Sequence, residues 1–118
     1  MVFDCRAVDN PGRDPAFARL SGLDPEVDAF LQGTPGARAF LAHVEALVDA
    51  QVEVYRGRGF TALDVHFGCT GGRHRSVWFA ERLALHLRER FPDVHLHLDH
   101  AQAEAWAAPR TTGDATDA

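Results

Sequence analysis

From Leu63 to Leu98, strand-like alternation gives way to a glycine-rich loop, then to a helical stretch, then to alternation again. That order fits a strand–loop–helix–strand unit. Leu63, Val65 and Phe67 alternate with Ala62, Asp64 and His66, and a helix is predicted from about His74 to Arg90, stopped by Phe91-Pro92-Asp93. Val94, Leu96 and Leu98, alternating with His95 and His97, predict a further strand. A crossover of this kind joins parallel strands, and ligands of such sheets sit beyond the carboxyl ends of the strands. The loop after Phe67 falls at that position.

Upstream, Val2–Arg6 predicts a short strand, and the Pro-, Gly- and Asp-rich stretch from Asp9 to Leu23 predicts a long loop, a kind of segment that often carries function. Asp24-Pro25 and Thr34-Pro35 each combine an N-cap residue with a first-turn proline. They start a short helix to about Leu31 and a longer one that Gly57 and Gly59 end. Phe40, Leu41, Val44, Leu47, Val48 and Tyr55 form the apolar stripe expected of the longer helix. The whole reads as an α/β fold, a single small domain with a mainly parallel sheet and one strand–anion loop–helix unit. The domain is expected to span residues 2–110, with 111–118 a disordered tail.

Composition excludes several classes. In 118 residues no apolar run approaches bilayer length, and Met1-Val2-Phe3 begins no secretory leader, so a cytoplasmic protein without membrane partners is expected. The two cysteines, Cys5 and Cys69, are expected as free thiols. A net charge of −5 argues against general nucleic-acid binding, which needs Lys and Arg to displace counterions.

The loop Gly68-Cys69-Thr70-Gly71-Gly72-Arg73-His74-Arg75-Ser76 concentrates the chemistry. Its glycines let backbone approach a ligand, and the following helix directs its free N–H groups at the loop. Arg75 offers a planar, permanently charged fork for phosphate oxygens, with Thr70, His74 and Ser76 as further donors. The bland alternative is a glycine-rich turn with Arg and His facing water. Cys69, Gly72 and Arg75 also fit C-x-x-G-x-x-R, the phosphate loop of cysteine-dependent phosphatases. In that chemistry Cys69 would be the nucleophile and Arg75 would bind the dianion, but no spacing selects an acid among Asp4, Asp9, Asp14 and Asp99.

A longer set of motifs runs through the chain: Val2-Phe3-Asp4-Cys5-Arg6, Asn10-Pro11, Asp14-Pro15, Leu20-Ser21-Gly22-Leu23-Asp24, Gly68 to Val77, and Ala80-Glu81-Arg82-Leu83. Together they resemble the C-terminal domain of the RNase adapter protein RapZ over roughly residues 2 to 98. The resemblance implies a non-catalytic regulatory domain that binds a phosphorylated amino sugar, glucosamine-6-phosphate, and in full-length adapters a small RNA. Carried onto matching positions, the ligand site is Asp4, Arg6, Cys69, Thr70, Gly71, His74 and Arg75, to which the loop adds Gly72 and Ser76. No catalytic residue and no cofactor are implied. Two departures stand out. Gly12 occupies a position where the family often has His, which weakens one wall of the expected pocket. Asp99-His100-Ala101-Gln102-Ala103-Glu104 replaces a basic tail, which counts against RNA.

His66, His95 and His97 could present imidazoles on strand faces, but without a carboxylate or cysteine at fixed spacing they read as a polar face, and no metal is expected. Core packing or self-association, with a homo-oligomer as one outcome, accounts for Trp78 and Trp106. Arg82, Arg88 and Arg90 are expected on a solvated helix face.

Overall fold

The computed structural model describes residues 1–103. Trp106, the expected domain end at residue 110 and the tail 111–118 lie outside the described residues. Two strands, β1 (Val2–Asp4) and β2 (His66–Gly68), pair in parallel with Phe3 opposite Phe67. Three helices accompany them: α1 (Pro25–Gln32), α2 (Pro35–Arg58) and α3 (Arg75–Arg90). The fold is α/β, and its strand–loop–helix unit is β2, the glycine loop and α3.

The proline start signals place α1 and α2 correctly, although neither N-cap side chain caps its helix. Asp24 instead accepts the Ser21 N–H at 2.7 Å, and the Thr34 hydroxyl donates to the Phe30 carbonyl at 2.8 Å. Proline at the first turn is enough, because the missing N–H has no helical partner there. Gly59 ends α2 in the left-handed region at φ 73°, letting Phe60 N–H reach the Tyr55 carbonyl at 2.9 Å.

One core cluster gathers Cys5, Val8, Val27, Leu31, Ala37, Trp78 and Phe79 near the loop. A second gathers Val44, Val48, Val52, Leu83 and Phe91 between α2 and α3. Trp78 and Phe79 are almost wholly buried, each burial stabilising by roughly 2–3 kcal/mol. The buried stripe of α2 is Ala37, Val44, Val48 and Val52, with Phe40 and Leu41 partly covered, whereas Leu47 is 54% exposed. Four-residue steps follow the face toward α3, and Leu47 is rotated off it.

Two expectations are corrected. Val94–Leu98 does not form a strand: its inward Leu96 and Leu98 keep the alternation, but no ladder bonds reach β2. The Val94 N–H turns back to the Phe91 carbonyl at 3.0 Å, and a cavity of about 560 Å³ separates β2 from residues 97–102. The second correction concerns one helix-face arginine, Arg82, which is partly buried, whereas Arg88 and Arg90 are exposed as expected. Arg82 donates to Asp28 from Nε at 3.2 Å, and Arg90 pairs with Asp49 at 3.1 Å and Glu53 at 3.0 Å. These pairs tie α3 to α1 and α2.

Candidate functional site

The loop between β2 and α3 makes its turn at Gly71 and Gly72, both left-handed at φ 81° and 60°. Side chains at these positions would be strained, and one at Gly72 would also press to 2.9 Å from the Gln102 side chain. The Gly72 and Ser76 N–H groups point at the Cys69 sulfur, and α3 follows with no side-chain cap from His74.

Cys69 lies at the centre of this turn, half-buried. Ser76 N–H donates to its sulfur at 3.3 Å, and the Ser76 hydroxyl is 3.3 Å away. Burial pushes the Cys69 thiol up, but hydrogen bonds from the Ser76 hydroxyl and the Ser76 and Gly72 N–H groups, with the Arg75 charge, outweigh it and hold the thiol below its ordinary value. The sulfur therefore already uses part of the loop's anion-stabilising capacity.

The three basic residues of the loop each reach back to the N-terminal quarter of the chain. Arg73 donates to the carbonyl of Leu20 at 2.7 Å and to that of Arg19. His74 Nε2 is 2.9 Å from the Phe17 carbonyl, which can only accept, so this nitrogen carries the proton. Arg75 is 4% exposed, and its Nη1 donates to the carbonyls of Val8 at 2.8 Å, Arg6 at 3.0 Å and Cys5 at 3.4 Å. Its Nε is buried without a hydrogen-bond partner among the described residues. Arg75 is thus a buried cation beneath the loop rather than an exposed fork.

Sequence reasoning gave Arg73 no role of its own, although its place beside His74 and Arg75 was the available signal. It also read Gly12 as a gap. A side chain there would lie 2.9 Å from the His74 ring, so Gly12 is what admits the imidazole.

Asp4 and Arg6, at the end of β1, form an exposed two-pronged pair with Nη2 to Oδ2 at 2.8 Å and Nε to Oδ1 at 3.0 Å. Hydrogen bonds from the Arg6 side chain and backbone hold Asp4 down to about 2. The loop residues Cys69, Gly71, Gly72 and Ser76 line the cavity facing residues 97–102, whereas Asp4, Arg6, Thr70, His74 and Arg75 do not. Thr70 is exposed at the loop tip. Among the described residues, no three His, Cys, Asp or Glu side chains are grouped to hold a metal ion, and no helix is long and apolar enough to cross a membrane.

Cys5 is wholly buried beside this machinery. Burial first, then the nearby Cys69 and Asp4, push its thiol up to about 12 from an ordinary 9.0, despite the Arg75 charge. The neutral thiol is favoured in the folded state, so its contribution to stability is full below pH 9 and is lost as pH rises through about 12. The melting temperature should fall over that window more steeply in the wild type than in Cys5→Ala. Equal slopes would remove Cys5 as the cause.

The family model described as the RapZ C-terminal domain matches residues 1–104. A nucleotide-binding protein of Nitrosomonas eutropha is 44% identical over 110 residues, covering 93% of this chain and 38% of its own length. One from Dictyoglomus turgidum is 37% identical over 99 residues, covering 84% and 34%, and one from a Janthinobacterium species is 38% identical over 104 residues, covering 88% and 35%. The chain spans a little over a third of the length of these relatives. With a family match across all of the described residues, the chain belongs to the RapZ C-terminal domain family.

Proposed function

We propose that this domain is a cytoplasmic, non-catalytic binding module for a phosphorylated small molecule, a sugar phosphate such as glucosamine-6-phosphate. The observation that supports the reading is the loop itself: two left-handed glycines and a helix start that His74 does not cap, next to the buried Arg75 cation. Asp4 and Arg6, exposed at the neighbouring strand end, are the groups assigned to the ligand's other polar atoms. The relatives' name, nucleotide-binding protein, also points to phosphorylated ligands. RNA is not part of this reading, given the net charge of −5 and the acidic Asp99 and Glu104 in place of a basic tail.

A phosphatase reading has one observation in its favour, the Cys69 thiol held below its ordinary value. It still needs an acid for the leaving group, and Asp4 is already engaged by Arg6.

Two assays separate these readings. Glucosamine-6-phosphate should raise the melting temperature while glucosamine should not, because stabilisation follows binding to the folded state and reaches about 2.7 kcal/mol at a hundredfold excess over Kd. Equal shifts from the two compounds would remove the phosphate anchor. Release of phosphate from an aryl phosphate, abolished in Cys69→Ser, would put the phosphatase reading in its place.

A further inference from the structure

Each strand is followed directly by a cysteine, Cys5 after Asp4 of β1 and Cys69 after Gly68 of β2. The Cys5 N–H donates to the Gly68 carbonyl at 2.8 Å, extending the ladder beyond Asp4 and Gly68 by one step and setting Cys5 opposite Cys69. Neighbouring strands are separated by about 4.8 Å, inside the Cα range that a disulfide spans. Both side chains enter one cluster, Cys5 as a buried member and Cys69 packed against it. Their environments differ. Cys69 lines the cavity and is open to a small reagent, whereas Cys5 is 0% exposed.

We propose that Cys69 and Cys5 form a redox pair, in which hydrogen peroxide oxidises Cys69 and Cys5 then closes a disulfide between the two strand ends. In the first step the Cys69 thiolate sulfur attacks one peroxide oxygen. The O–O bond breaks, the sulfur becomes a sulfenic acid, and the departing hydroxide takes up a proton as water. In the second step the Cys5 sulfur attacks the Cys69 sulfur, the S–O bond breaks, and hydroxide leaves with the Cys5 proton as a second water. Two thiols are oxidised and one peroxide is reduced.

The Ser76 and Gly72 N–H groups favour the first step by stabilising the Cys69 thiolate, and burial protects Cys5 from direct attack. Closing the bridge draws the Cys69 sulfur toward β1 and away from Ser76, changing the turn that would hold an anion. That last consequence rests on the phosphate-binding reading; the bridge does not.

The test treats the chain with stoichiometric hydrogen peroxide and measures its intact mass and peptide map. The expected result is a monomer lighter by about 2 Da with Cys5 and Cys69 in one linked peptide, reversed by dithiothreitol. In Cys5→Ala, the expected product is a Cys69 sulfenic acid trapped by dimedone. An unchanged mass, a disulfide between chains, or direct conversion of Cys69 to sulfinic acid in the wild type would overturn the proposal. The wild-type mass decides it even if Cys5→Ala does not fold. A protein that forms the bridge yet shows no melting shift with glucosamine-6-phosphate would count against the binding reading alone.

Discussion

Gly22→Ala should destabilise the domain by about 3–5 kcal/mol, at and beyond the upper end of ordinary overpacking costs. A Cβ at this position would lie 2.5 Å from both the His74 carbonyl oxygen and the Trp78 nitrogen, and 2.9 Å from the Val77 Cβ. The first two atoms make the 3.0 Å hydrogen bond of the first turn of α3, so neither can retreat without opening the helix beside the loop. Gly22 is also fastened from its own side, its N–H donating to the Arg73 carbonyl at 2.9 Å. For a domain of this size the melting temperature should fall on the order of 15 °C or more. Gly36→Ala is the matched control: it lies in α2 with nothing within 4 Å of its would-be Cβ, and should stabilise by about 0.5–1 kcal/mol. Equal denaturant midpoints for Gly22→Ala and the wild type would refute the close approach.

Arg75→Ala should lose about 3–5 kcal/mol of folding stability, since it removes a buried cation and deprives the carbonyls of Cys5, Arg6 and Val8 of their shared donor. Its second effect is electrostatic. The Arg75 charge is among the influences that lower the Cys69 thiol, so its removal should shift the pH profile of Cys69 alkylation upward. Arg75→Lys keeps the charge but cannot reproduce the planar fork, and should recover the alkylation profile more fully than the stability. A midpoint unchanged in Arg75→Ala would show that the buried guanidinium does not hold the β1 end to α3.

Much of the fold was legible because its signals are local. Proline at the first turn, glycine at the helix end and the alternation around Phe67 each act within a few residues of where they appear. Val94–Leu98 shows the limit: alternation selects which side chains point inward, and here Leu96 and Leu98 do, but it does not determine whether the backbone reaches a neighbouring edge. The loop shows a different limit. Glycine, arginine and histidine in close succession identify an electropositive turn, yet the residues that Arg73, His74 and Arg75 contact lie far away in sequence. Spacing within GGRHRS cannot distinguish a guanidinium waiting for phosphate from one bound to carbonyls. Gly12 and Gly22 were unreadable for the same reason, because the atoms that exclude a side chain from each belong to the start of α3.

The three fastenings between the loop and the N-terminal quarter also set an order of events. They join positions 53 to 70 residues apart, so closing them costs more chain entropy than forming the local contacts within each helix. A chain lacking residues 1–24 would retain the segments that form α1, α2 and α3 but none of the carbonyls that seat Arg73, His74 and Arg75. The loop is therefore expected to acquire its final shape late in folding, and amide exchange at Gly71 and Gly72 should report the opening of the β1 end as much as local motion.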